Sequence, residues 1–218
     1  MEKLTQSVEE YLEAVFKLTA GGAPLTVGQL AEALGVSPPS VSEMVRRLRA
    51  AGLVEEDRGR GIRLTARGRT EGGRLVRRHR LSERFLVDLL EMPWDAVHDE
   101  ACKLEHALSP EVEARLAAQL GNPRTCPHGR AIPDERGRLA EEPVRPLSDL
   151  EAGDVGTITC VSEEQAELLR YLASLGLLPG TEVAVESVAP FGGPVLVRVG
   201  EAQYALGREV AGKILVRR

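Results

Sequence analysis

Residues 25–54 read LTVGQLAEALGVSPPSVSEMVRRLRAAGLV. Thr26 is placed to cap a short helix that runs to Leu34, and Gly35 supplies a turn. Ser37 caps a second helix with proline in its first turn, where the missing N–H costs nothing. Two short helices joined through a glycine turn and followed by arginines form a helix-turn-helix pattern. Just downstream, Ile62 and Leu64 alternate after Gly59-Arg60-Gly61, which reads as a hairpin. Helix-turn-helix plus hairpin is a winged helix.

Upstream, Val8, Leu12, Val15 and Leu18 recur at helical spacing, which predicts an amphipathic helix over 5–19 ended by Gly21-Gly22. Downstream, a long helix is expected over 65–90, interrupted by Pro93, with further helices over 94–107 and 110–120. Residues 121–147 are rich in proline, glycine and charge and read as a loop plus linker. Beyond them the period becomes alternating. Strands are expected at 155–161, 181–188, 195–199, 203–206 and 213–217, with one helix at 163–175. That density of short strands predicts a small β-barrel. The expected architecture is mainly α with a small β domain. Its segments are a DNA-binding winged helix (1–73), a helical region (74–129), a linker (130–146) and a barrel (147–218).

The chain has 218 residues, is 43% hydrophobic, and carries a net charge of −5. That overall charge hides a local block. From 46 to 84 there are thirteen arginines, no lysine and five acids, a net +8. A block of one sign in an acidic protein is the footprint of a phosphate-binding surface. Aromatic content of 3% argues against base stacking on aromatic platforms. The polar N-terminal stretch, the lack of a membrane-length apolar run and three scattered cysteines predict a cytoplasmic protein with no membrane association and reduced thiols.

Residues 98–108, HDEACKLEHAL, pose a second problem. At about 100° per residue, Cys102, Glu105 and His106 fall at roughly +40°, −20° and +80° from His98, so all four share one arc of a helix. The other histidines are also in ligand-like company. His79 precedes Glu83 by four residues, and His128 follows Cys126 by two. A lone histidine is usually structural or superficial, but four of four beside metal-capable residues point to metal. Cys160 has no such neighbour and reads as a small buried hydrophobe. The mixture of imidazole, carboxylate and some thiol fits manganese or ferrous iron better than a closed structural zinc site. No nucleophile–base constellation accompanies it, so a metallohydrolase is disfavoured and no enzyme is expected. A winged helix whose metals are purely structural remains a rival reading.

These residues resemble the metal-dependent repressors of the diphtheria-toxin-repressor and manganese-transport-regulator type, over the whole chain. LASLGLLPGTEVAVE and FGGPVLVRVG are similar to the SH3-like, ferrous-transport-A-like domain of that family. The resemblance implies a homodimer that binds a palindromic double-stranded DNA operator when Mn(II) or Fe(II) is bound, with two metal positions per subunit. It places Glu10, Cys102, Glu105 and His106 at the DNA-activating position, with Glu13 as a further oxygen. It places His79, Glu83 and His98 at a companion position, completed by Glu164 and Glu167. In some manganese-responsive members Cys126 and His128 join Glu83 instead. The chain departs from both branches, because a carboxylate stands at 10 and a thiol at 102. On the DNA side, Ser37, Pro39, Ser40 and Glu43 occupy the part of the recognition helix that reaches base edges. Ser42, Arg47 and Arg60 are expected phosphate contacts. The family commonly has glutamine where Glu43 stands; a carboxylate accepts from cytosine N4.

Overall fold

The computed structural model describes residues 4–20, 23–57, 61–140, 143–162 and 165–218. Its helices are α1 (Gln6–Thr19), α2 (Val27–Leu34), α3 (Pro38–Ala50), α4 (Ala66–Asp88), α5 (His98–Glu105), α6 (Pro110–Gln119), α7 (Ala166–Ser174) and α8 (Arg208–Lys213). Its strands are β1 (Val54–Asp57), β2 (Gly61–Leu64), β3 (Arg145–Pro146), β4 (Val155–Val161), β5 (Glu182–Val188), β6 (Val195–Val199), β7 (Ala202–Leu206) and β8 (Ile214–Arg217). The chain divides into two compact units. One holds residues 1–79, 104–113 and 132–140; the other holds 80–103, 114–131 and 141–218.

In the first unit the expected caps are present. Thr26 Oγ1 accepts the Gln29 N–H at 3.2 Å, and Gln29 Oε1 accepts the Thr26 N–H at 2.9 Å, a reciprocal capping box. Gly35 ends α2 in the left-handed region at φ 63, which lets its N–H reach the carbonyls of Ala31 and Glu32. Ser37 accepts the Ser40 N–H at 3.4 Å and starts α3. These satisfy backbone donors and acceptors that helix ends otherwise leave without partners. The two helices then share a core, with Leu30, Val41, Val45 and Leu48 packed with Leu12, Val15 and Phe16 of α1. β1 and β2 pair antiparallel from Val54↔Leu64 to Asp57↔Gly61. Leu25 bridges Ile62 as a third short strand. This is the winged helix expected above. Its turn, with Arg60, lies outside the described residues. α4 can start close against Leu53 because Gly68 has no side chain: a Cβ there would lie 1.8 Å from the Leu53 carbonyl oxygen.

In the second unit six strands form an antiparallel sheet in the order β3-β8-β4-β5-β6-β7. Alternate residues face inward, and Ile158, Val183, Val185, Val195, Val197, Ile214 and Val216 make a core closed by Leu169 and Leu172 of α7. Breaks of register at Ile158/Cys160 and Val185/Ser187 bend β4 and β5, as bulges do in small barrels. The two-residue β3 is the strand that alternation alone misses.

Residues 121–138 differ from a free linker. In the first unit the α4 arginines hold this segment through its backbone, Arg77 donating to Pro133 O at 2.9 Å and Arg74 to Glu135 O at 3.4 Å. In the second unit Arg84 donates to Thr125 O at 2.7 Å and Arg80 to Ala131 O. Part of the arginine block thus serves internal carbonyls. The phosphate-facing share is smaller than the charge count implies. No helix among the described residues is long and apolar enough to cross a membrane.

Candidate metal centres

Two groups of buried ligand-type side chains emerge, each within one unit. In the first unit, α1 presents Glu9 and Glu13 one turn apart, beside Leu12 and Phe16 on its buried face. α4 contributes His79, and the chain at the end of α5 contributes Glu105 and His106. His79 Nδ1 lies 2.5 Å from Glu105 Oε2. Glu105 Oε1 lies 3.3 Å from His106 Nε2, and His106 Nδ1 lies 2.7 Å from Glu9 Oε2. Ligand atoms of Glu13, His79 and Glu105 all fall within 4.8 Å of one another. At the rim, Lys17 pairs with Glu13 at 2.9 Å and Arg78 approaches Glu9 at 3.7 Å.

The electrostatics show the strain of this crowding. Burial lifts the Glu105 carboxyl above its usual range, and the neighbouring Glu13 charge adds to that lift against the opposing pull of His79. Burial also works to raise Glu13, but Lys17 and His79 outweigh it and hold it below the usual range. Three carboxylates and two imidazoles gathered out of water are costly unless a cation compensates them. Hard oxygen donors with imidazole are the set that Mn(II) and Fe(II) prefer. The residues fit such an ion.

Glu10 is not in this group. One residue from Glu9 is about 100° around a helix, so Glu10 projects to the exposed face and accepts from Gln6 at 3.0 Å. In this structure the α1 carboxylates turned inward are Glu9 and Glu13.

The second group lies in the second unit. Glu83, Cys126 and His128 are each almost fully buried, with ligand atoms within 4.8 Å of one another. His128 Nδ1 is 3.3 Å from Glu83 Oε1 and 3.9 Å from Cys126 Sγ. Its other nitrogen, Nε2, lies 2.8 Å from the Trp94 carbonyl oxygen. A carbonyl can only accept, so Nε2 carries the hydrogen. In the neutral ring Nδ1 then offers its lone pair to the group, the outer-shell arrangement typical of metal-bound histidine. Burial alone would depress this imidazole. The Cys126 sulfur and the Glu83 carboxylate prevail and raise it to about 10. Gly129 makes the turn possible, since a Cβ there would lie 2.0 Å from Thr159 O.

The remaining sequence candidates are placed as follows. His98 and Cys102 are neighbours on α5, with Cys102 Sγ 3.7 Å from His98 Nε2, and both are half-buried. Glu164 lies outside the described residues. Glu167 is exposed in the first turn of α7, off the face that carries Leu169 and Leu172, and belongs to neither group. Sequence reasoning missed Glu9. The available signal was its spacing of three and seven residues from Leu12 and Phe16.

A winged helix joined to buried carboxylate–imidazole clusters defines a DNA-binding protein with ligand sets for divalent cations. The chain matches the family "Iron dependent repressor, N-terminal DNA binding domain" over residues 3–62 and "Iron dependent repressor, metal binding and dimerisation domain" over 65–134. It matches the "FeoA domain" over 145–218. The chain belongs to the iron-dependent repressor family. It is 35% identical to the iron-dependent repressor IdeR of Mycobacterium tuberculosis over 99% of both chains. It is 31% identical to the diphtheria toxin repressor of Corynebacterium jeikeium, over 84% of this chain and 86% of that one. Among solved structures, a manganese-dependent transcriptional repressor in complex with manganese superposes with a TM-score of 0.87 at 38% identity, covering 96% of this chain and 98% of that chain. The manganese regulator SloR superposes at 0.82 and 31%, covering 99% of this chain and all of that one.

Proposed function

We propose that this protein is a homodimeric transcriptional repressor, activated by Mn(II) or Fe(II), that controls genes of manganese or iron homeostasis through a palindromic operator. The observation that carries the reading is the buried group formed by Glu9, Glu13, His79, Glu105 and His106, with oxygen and imidazole donors only. A bound divalent cation would supply positive charge inside a group whose Lys17 and Arg78 partners stand at its rim. Glu9 and Glu13 belong to α1, which packs on α2 and α3, whereas His79 and Glu105 belong to the helices that follow the wing. Satisfying all five together holds α1 in one position against α4. That selects one setting of the recognition helix, and two such helices in a dimer must meet major grooves about 34–36 Å apart or a multiple of it.

Glu83, Cys126 and His128 form the second ligand set, and its thiol makes it the softer of the two. His98 and Cys102 are further ligand candidates on α5. The family matches over 3–62, 65–134 and 145–218 support segments at 1–73, 74–129, 130–146 and 147–218. For the DNA face the reading takes Ser37, Pro39, Ser40 and Glu43 as the base-proximal part of α3, with Ser42, Arg47 and Arg60 as phosphate contacts.

The test is binding of the metal-stripped protein to duplexes from metal-transporter promoters, with manganese, anaerobic ferrous iron, zinc or chelator at fixed salt. Binding that appears with manganese or iron and vanishes with chelator is expected. Equal binding in every condition would reduce both ligand sets to structural metal sites.

A further inference from the structure

The exposed face of α3 has few groups free to read a base edge. Ser37 Oγ is 2.9 Å from Ser40 Oγ and also caps the helix, so these hydroxyls serve each other and the backbone. Pro38 and Pro39 offer only ring carbons. Glu43 is the single acid of α3, among Arg46, Arg47 and Arg49. It is more than half exposed and ion-paired with Arg47 one turn further on.

Helical side chains lean toward the N-terminus. The pair therefore draws the Arg47 guanidinium back to the level of Glu43, toward the end of the helix that enters the groove. The outcome is an acceptor and a fork of donors side by side on the outer face. A C·G pair shows the complementary order in the major groove: the cytosine N4 donor stands beside guanine O6 and N7. An A·T pair fits worse, because adenine N7 sits beside its N6 donor and repels a carboxylate. The guanidinium also offsets the repulsion that a bare carboxylate would meet from phosphates.

We propose that Glu43 and Arg47 act as one unit that recognises a C·G base pair in each operator half-site. Glu43 accepts from cytosine N4 and Arg47 donates to guanine O6 and N7. This rests on the DNA-binding reading above and moves Arg47 from a phosphate contact to a base contact. Arg46 and Arg49, both exposed on the same helix, are left for the backbone.

The experiment selects binding sites from a randomised duplex pool with the full-length protein in manganese. It then measures the selected duplex and its single-pair variants against wild type, Glu43→Ala, Arg47→Ala and the double variant. Wild type is expected to select C·G at one position in each half-site and to lose roughly 5- to 150-fold when that pair is changed. Each single variant should lose that discrimination, and the double variant should lose no more, as interacting partners do. If Arg47→Ala instead weakens all sequences alike and lowers the salt slope by about one, Arg47 is a phosphate contact and the proposal fails. It also fails if Glu43→Ala keeps the wild-type base preference. Failure of the wild type to bind any duplex with manganese or ferrous iron would overturn the DNA-binding reading itself. Both residues are exposed, so thermal unfolding of the variants within about 0.5 kcal/mol of wild type separates these outcomes from misfolding.

Discussion

Glu105→Gln should act with opposite sign on the metal-free and the metal-loaded protein. The Glu13 and Glu105 ligand atoms lie within 4.8 Å. Two full charges at that distance repel by about 3.5 kcal/mol at an effective dielectric of 20. Burial and Glu13 hold the Glu105 carboxyl above its usual range, so the fold favours its neutral form. Weakening of the bond to His79 subtracts about 1.5–3 kcal/mol, the usual worth of a hydrogen bond to a charged group. The expected net effect in chelator is no loss of stability and a gain of up to about 2 kcal/mol. With manganese the sign reverses. A ligand at one hundred times its dissociation constant stabilises wild type by about 2.7 kcal/mol, and the variant should lose most of that gain. Thermal unfolding in chelator and in manganese reads both effects. Glu10→Gln is the control, expected to change either value by no more than about 0.5 kcal/mol, because Glu10 is exposed and accepts from Gln6 along its own helix. Destabilisation of Glu105→Gln by about 2 kcal/mol or more in chelator would make Glu105 a structural partner of His79. Loss of the manganese effect in Glu10→Gln would return that ligand to the position the family resemblance implies.

Two further outcomes follow from the geometry. His128 is raised from 6.5 to about 10 in the folded state, so its contribution to metal-free stability is full below pH 6.5 and declines as pH rises through about 10. Denaturant unfolding in chelator should show the advantage of wild type over His128→Gln shrinking across that window, and a constant difference would refute the assignment. Gly68→Ala places a Cβ 1.8 Å from the Leu53 carbonyl oxygen, a clash with backbone that no rotamer relieves. It should cost at least about 2 kcal/mol by thermal unfolding, and near-neutral behaviour would mean the start of α4 yields freely.

Much of the fold could be read from the chain because its signals are local. The Thr26 box, the Gly35 turn and the Ser37 cap each lie within four residues of what they cap, and alternation placed β4 through β8. The orientation of α1 was less legible. Taking Val8, Leu12, Val15 and Leu18 as the stripe includes Leu18, which is 44% exposed, and omits Phe16, which is buried. The true inner face runs through Glu9, Leu12, Glu13 and Phe16. With acids at both 9 and 10, that small rotation decides which one reaches His106. The fate of the arginines was not legible at all. Arg77 and Arg84 bond to carbonyls 56 and 41 residues away, and no local pattern distinguishes an arginine facing phosphate from one holding a distant loop. The second ligand set was visible as spacing, in Cys126 and His128. Its link to Glu83 was legible only through the family resemblance, and the His128 tautomer fixed by the Trp94 carbonyl needed the fold.

The central claim is that metal and operator bias the same conformation, and such coupling must be reciprocal. The most direct measurement is therefore the manganese affinity of the full-length protein, by titration, with and without saturating operator duplex at fixed salt and pH. The account predicts manganese binding tighter by about 5- to 150-fold in the presence of DNA. Equal affinity in both conditions would contradict it, leaving a DNA-binding protein whose buried carboxylates hold a metal that regulates nothing.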